Sequence, residues 1–256
     1  MSAPLIEVGA KYPTKLNGDL VVISYEGCTK VLVKFTDTSG VRYTTTSAIR
    51  RGEVRDHCRP NVYGKGYFGY GKYKSKIDGK HTKNYSRWRS MIQRCYGDYD
   101  LPTYKGVIVC EEWLNFQVFS DWFFDTYPDQ GVDMELDKDV LGGKVYSPDT
   151  CVWLTPKLNS ILTERAGDRG EYPLGVTLIK GRFASQLSIG NGKGSYTIGT
   201  YDCPYEAFFS YKYAKESYIE SEAEKVKHLL SDRAFNGLLS YEIVDDSPWK
   251  AHLHRT

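Results

Sequence analysis

The chain lacks any run of about 18 consecutive apolar residues, the minimum for a membrane-crossing helix. Its opening, MSAPLIEVGAKYP, has neither the cationic start nor the apolar stretch of a secretion signal. The expectation is therefore a soluble, cytoplasmic protein with no membrane partner. Six cysteines (Cys28, Cys58, Cys95, Cys110, Cys151 and Cys203) are scattered without a CxxC pair, which argues against a zinc ribbon and against a disulfide-stapled secreted scaffold. They read as reduced thiols, and a metal site built from some of them with His57 is the alternative. Methionine is scarce, at three residues, whereas tyrosine is abundant at 21. Tyrosine buries a ring while keeping a hydroxyl wet, which suits small cores and polar binding faces.

No excess of either charge stands out in the total of +2, but the distribution is uneven. Residues 50–94 hold 13 Lys or Arg against three acids, and residues 95–150 hold 12 Asp or Glu against three Lys. A basic block with Tyr and Gly between its charges suits a polyanion, because cations neutralise phosphates and release counterions while rings cover sugar or base. Lys72, Lys74, Arg87 and Arg89 are its candidate DNA contacts. The competing reading is a solvated linker whose charges pair with the acidic block beside it.

Along the chain, period-two alternation predicts strands at 20–24, 30–35 and 41–46, joined by Glu26-Gly27 and Ser39-Gly40 turns, as a small β-barrel domain over residues 1–58. Residues 59–82, with glycines at 64, 66, 69, 71 and 79, fit neither helical nor strand periodicity and read as a basic linker. Helices are predicted from Lys83 to Tyr96, with Tyr85, Trp88, Met91, Ile92 and Cys95 on one stripe, and from Asn115 to Tyr127, ended by Pro128.

Residues 134–162, MELDKDVLGGKVYSPDTCVWLTPKLNSIL, read as strand, Gly142-Gly143 turn, strand and helix, with Thr155 as cap and Pro156 in the first helical turn. Asp137 at the end of the first strand and Asn159 one turn into the helix then face one crevice, where two oxygen ligands, water and a DNA phosphate suit Mg²⁺. The triplet Asp137, Lys138, Asp139 reads equally as a charged turn tied by local ion pairs. With YSRWRSMIQRC and YKGVIVCEEW before it, this segment resembles the HNH (ββα-metal) homing endonucleases of phages and related bacterial sequences. The resemblance spans residues 83–168 at its widest and about 83–162 in its motifs. It implies that Asp137 and Asn159 ligate one divalent metal, Mg²⁺, which stabilises the leaving oxygen of a phosphodiester while a histidine activates water. It also implies a host cytoplasm as the location if a phage encodes the chain. Lys138 occupies the usual histidine position, and a lysine of ordinary pKa is protonated at neutral pH and takes no proton from water. The chemistry then uses another base, for which Asp139 and His81 are the candidates, a lysine of depressed pKa, or none.

Residues 169–230 include GVTLIKGRFASQLSIGNGKGSYTIGTYDCPYEAFFSYKYAKESYI, three short strands followed by a helix after Pro204. Alternation sets Phe183, Ser185, Leu187 and Ile189 on one face and Arg182, Ala184, Gln186 and Ser188 on the other. The opening GV, the IGTYDCPYEA corner and the Tyr and Ala spacing of the helix make this segment similar to the Apetala-type, ethylene-response-factor DNA-binding domain. The similarity implies a sheet laid in the major groove of double-stranded DNA, its open face formed by Lys180, Arg182, Gln186, Ser188, Lys193, Ser195 and Thr197, with Ala184 where the family often carries arginine. Residues 231–256 read as a short helix and a tail ending in HLHRT.

The fold class expected is α+β: a small N-terminal β-barrel, a ββα-metal-like central region, and a C-terminal three-stranded sheet plus helix. Two functions remain open. One is an HNH-type enzyme in which Asp137, Lys138, Asp139 and Asn159 surround a metal and cleave DNA. The other is a catalytically inactive DNA-binding regulator or host-interaction protein, for which a protein partner is added to DNA.

Overall fold

Alternating burial organises the N-terminal strands. The computed structural model describes residues 5–38, 40–98, 104–162, 172–189 and 194–244. In it β1 (Lys11–Pro13), β2 (Asp19–Tyr25), β3 (Val31–Phe35) and β4 (Val41–Thr44) form an antiparallel meander. Leu20 and Val22 of β2 and Val31, Val33 and Phe35 of β3 share a core with Ile6, Val54 and Ile49 of α1 (Thr46–Arg50). The strand order is β1-β2-β3-β4, an open sheet where a barrel was expected. Small closed barrels of this kind use about five strands, and here a helix covers the apolar face instead. Strand β4 also stops short of its expected end at residue 46, because the Thr45 hydroxyl accepts the Ala48 N–H at 3.1 Å and caps α1.

Contacts divide the chain into two units, residues 1–104 with 109–125 and residues 105–108 with 126–256. The HNH-like span 83–168 is split between them.

In the first unit, the stretch read as a linker is tied to the helices that follow. Its lysines frame a hairpin, β5 (Lys76–Ile77) and β6 (Lys80–His81), turned at Asp78-Gly79. The Gln117 amide accepts the Tyr73 N–H at 2.9 Å and donates to the carbonyls of Tyr73 and Phe68. A Cβ at Gly71 would lie 2.3 Å from Gln117 Oε1, and one at Gly69 2.1 Å from Asn115 Oδ1. Gly69 and Gly71 are thus points where the backbone approaches side chains too closely for anything larger, whereas Gly64 and Gly79 have open space around them and serve left-handed turns at φ +70° and +76°. Helix α2 (Lys83–Tyr96) buries Asn84, Trp88, Met91 and Ile92. The Trp88 indole N–H donates to the Trp113 carbonyl at 2.7 Å, and Asn84 donates to Ser120 at 2.8 Å. Helix α3 (Phe116–Thr126) buries Phe116, Phe119 and Phe123, as its spacing predicts.

In the second unit, Ile108, the first residue of β7 (Ile108–Val109), donates its N–H to the carbonyl of Lys144, just ahead of β9 (Val145–Tyr146). The predicted strand, turn, strand and helix are present as β8 (Glu135–Asp137), β10 (Val152–Leu154) and α4 (Pro156–Leu162), with β8 and β10 antiparallel and Asp137 opposite Val152. Thr155 caps α4 through the Leu158 N–H. Three further antiparallel strands, β11 (Val176–Ile179), β12 (Arg182–Ser188) and β13 (Ser195–Tyr201), precede α5 (Pro204–Lys225) and α6 (Asp232–Leu239).

Helix α5 serves two cores. Its first half places Ala207, Phe208 and Tyr211 with Val176 and Leu187 of the sheet. Its second half places Ile219 and Ala223 with Val152, Leu154, Leu158 and Ile161 of the ββα element and with Ala234, Phe235 and Leu238 of α6. Tyr218 packs against both cores. No helix among the described residues is long and apolar enough to cross a membrane.

Candidate nucleic-acid interface and metal site

The face of the three-stranded sheet turned away from α5 is built by pairing register. Ala184 stands opposite Thr177 and Thr200, Gln186 opposite Thr197, and Ser188 opposite Ser195. Directly opposed residues share a face, so these positions form one polar surface with Arg182 at its end. Alternation along β12 survives a bulge because the extra residue, Ile198, lies on β13 and packs toward α5. On the covered side, Gly175 at φ +72° has its missing side chain replaced by the Tyr211 ring, which a Cβ would approach to 2.2 Å. The glycine of the GV opening therefore seats the helix on the sheet.

The predicted face residues divide as follows. The Arg182 guanidinium donates to Asp202 Oδ1 at 3.0 Å and to the Thr200 carbonyl at 3.2 Å, which holds it extended across β13. Gln186 Oε1 accepts the Thr177 hydroxyl at 3.3 Å. Ser188, Ser195 and Thr197 are exposed. Lys180 is not on the face: with Gly181 it forms the left-handed tip of the β11–β12 hairpin, at φ +50° and +81°. Ala184, where the resembled family often carries arginine, is fully buried at the centre of the sheet and presents no accessible atom. Lys193 lies outside the described residues. Thr177 and Thr200 belong to this face and were missed, because only strand register, not alternation along β12, brings them beside Ala184.

In the ββα element, Glu135 and Asp137 alternate onto one face of β8. Asn159 joins that face by donating its amide to Glu135 Oε2 at 2.5 Å. Asp137 is buried, and its Oδ1 accepts the N–H groups of Asp139 and Val140, both at 2.9 Å. Burial pushes its carboxyl above the ordinary range, and the neighbouring Asp139 charge adds to this, while the two N–H bonds pull the other way. Lys138 is also buried, with its ammonium bonded to Asp139 and 5.8 Å from the Tyr146 ring centroid. The charged-turn reading of this triplet and the ligand reading of Asp137 thus describe the same residues: one carboxylate oxygen is spent on the turn and Oδ2 lies outside it.

Among the described residues no three His, Cys, Asp or Glu side chains form a metal-binding group. The oxygen-bearing side chains on this face are Asp137, Asn159 and Glu135, the last of which sequence reasoning overlooked although its place two residues before Asp137 sets it on the same strand face. Hard oxygen donors of this number fit Mg²⁺, which keeps several waters. Of the substitute bases, Asp139 is engaged by Lys138, and His81 belongs to the first unit, stacked on Tyr85 at 4.9 Å with Nδ1 3.3 Å from the Ser75 carbonyl oxygen. His57 stacks on Tyr70, and all six cysteines are free thiols.

In the basic strip, Lys72 reaches Asp121 only at 3.9 Å, and Lys65, Lys74, Lys76, Lys80 and Arg89 form no ion pair among the described residues. The neighbouring acids therefore do not neutralise these five cations. Arg87 is half-buried on α2, whereas Lys74 and Arg89 are exposed. No protein-family model, curated protein sequence or solved structure matches the chain.

Proposed function

We propose that the chain binds double-stranded DNA through the polar face of its three-stranded sheet. The observation that carries this reading is a sheet with one face packed on α5 and the other lined by Arg182, Gln186, Ser188, Ser195 and Thr197, with Thr177 and Thr200 beside them. A twisted antiparallel sheet of this width suits the major groove, where Arg and Gln bond base edges and hydroxyls reach phosphates or bases. Arg182 is already extended by Asp202, which lowers the entropy lost when it is fixed on DNA.

Selection of duplexes from a random pool, followed by binding of the enriched sequence and a scrambled one, tests this. Gln186→Ala and Arg182→Ala each reduce discrimination by about 1–3 kcal/mol on this reading. An unselective pool, or variants that discriminate as wild type does, overturns it.

The shared face of Glu135, Asp137 and Asn159 favours a second reading, metal-dependent cleavage of the bound DNA. Asp137 and Asn159 would hold Mg²⁺ with Glu135 beside them, and the metal would supply positive charge to a leaving phosphodiester oxygen. Lys138, paired with Asp139, serves on this reading as a buried cation rather than as the base. Incubation of supercoiled DNA with Mg²⁺ or Mn²⁺ separates the two readings: nicks that vanish in Asp137→Ala and Asn159→Ala establish the enzyme, and binding without product leaves the DNA-binding protein.

A further inference from the structure

We infer that the first unit carries a separate, sequence-independent contact for the phosphodiester backbone of duplex DNA, built on Arg89 held against the ring of Tyr63. It is distinct from the sheet face and does not depend on it.

The contact begins with a strained turn. Val62 and Gly66 exchange both backbone hydrogen bonds, each at 2.9 Å, and Tyr63 and Gly64 form the tip between them at φ +49° and +70°. A bulky aromatic residue in the left-handed region costs roughly 1–2 kcal/mol, and such strain persists only where the surroundings impose it. They do so here. A Cβ at Gly66 would lie 2.9 Å from Trp88 Cζ2 and 3.3 Å from Ile92, so the bare backbone lies directly on α2. That seating brings Tyr63 to the residue after Trp88, and the Arg89 guanidinium carbon rests 5.3 Å from its ring centroid.

Arg89 is exposed and has no carboxylate partner among the described residues. The cation–π contact uses none of its N–H donors, and a guanidinium presents these as a fork that bonds a phosphate with two parallel hydrogen bonds. Lys65 extends from the same hairpin, and Lys74, Lys76 and Lys80 are likewise exposed and unpaired on and beside the β5–β6 ribbon. Exposed cations without an ion pair, in the same unit as a guanidinium positioned by a ring, are complementary to a regularly charged polyanion. Duplex DNA is therefore the occupant we assign.

The test uses the full chain and fluorescence anisotropy on a short labelled duplex across a salt series. Arg89→Ala weakens binding equally on the selected and scrambled duplexes and lowers the slope of log K against log salt by about 0.9, one phosphate contact. Tyr63→Phe keeps the platform and behaves as wild type. Tyr63→Gly relieves the backbone strain, so the fold survives, yet weakens binding through loss of the platform. A slope unchanged in Arg89→Ala, or affinity unchanged in Tyr63→Gly, overturns the assignment. Arg182→Ala in parallel keeps the two sites apart. Sensitivity confined to Arg89 supports this contact and refutes the sheet reading, and sensitivity confined to Arg182 refutes this contact alone.

Discussion

Asp137 separates two roles that one residue can hold, and asparagine is the substitution that divides them. Its Oδ1 accepts the N–H of Val140, a buried residue, and the N–H of the exposed Asp139. In Asp137→Ala the Val140 N–H is left buried without a partner, at about 1–3 kcal/mol, and the Asp139 N–H exchanges its bond for water, at about 0.5–1.5 kcal/mol. The expected cost is therefore about 2–4 kcal/mol. Asp137→Asn keeps an acceptor oxygen for both N–H groups and removes a carboxylate that burial disfavours, so its stability stays within about 1 kcal/mol of wild type. The damage has a defined route. Val140 belongs to the core containing α4 and α6, and Gly237 of α6 lies so close that an added Cβ would meet Val140 Cγ1 at 2.7 Å. Hydrogen exchange over α4 and α6 is the assay: these amides exchange faster in the alanine variant and at the wild-type rate in the asparagine variant. Equal loosening in both variants, or none in either, refutes the capping argument. If the chain is a nuclease, the asparagine variant also loses metal-dependent product while remaining folded.

Gly175→Ala is expected to destabilise the sheet-and-helix core by about 2–5 kcal/mol, combining the left-handed backbone penalty with overpacking against Tyr211; a thermal melt unchanged from wild type contradicts the packing described. Burial holds the His57 imidazole below its ordinary range, and Arg42, with Nη1 3.5 Å from His57 Nε2, adds to the effect. The folded chain then binds this proton more weakly than the unfolded chain, so the contribution is full above the unfolded value of about 6.5 and is lost as pH falls from there toward the folded value. Melting temperatures between about pH 5 and 8 should rise with pH in wild type, and His57→Gln should flatten that part of the profile.

Local signals in the sequence located the second unit's elements well. The apolar run before Asp137, the Gly142-Gly143 turn and the Thr155-Pro156 opening each act within a few residues, and β8, β10 and α4 follow them. The open face of β12 was legible for the same reason, since alternation depends only on the strand itself. Features set by distant partners were not. The bond of Glu135 to Asn159 spans 24 positions, although alternation alone sets Glu135 on the strand face of Asp137, and Thr177 and Thr200 join the sheet face through register. A barrel was expected where the described residues form an open sheet, because alternation gives strand faces and says nothing about whether the edges meet. The glycine-rich basic stretch was read as a linker because its order comes from Asn115, Gln117 and Trp88, side chains that no local pattern connects to it.

Helix α5 was legible as a helix but not in what it packs against, and this bears on function. Its apolar positions switch partner midway: Ala207, Phe208 and Tyr211 answer to the sheet, whereas Ile219 and Ala223 answer to α4, α6 and β10. A helix that meets two cores in succession reads in sequence as one helix with a fading mixed-charge end. The boundary expected between the ββα element and the sheet module is accordingly bridged by one continuous rod, fastened further by the Lys157–Glu222 ion pair at 2.5 Å between α4 and α5. Two modules on a flexible tether would visit many separations, whereas two modules sharing a helix keep one. If DNA read at the sheet is also acted on at Asp137, the distance between the recognised bases and the altered phosphodiester is therefore fixed. Products from a selected site would end at one position, and ends scattered over many positions would show that the shared helix does not set the geometry of the reaction.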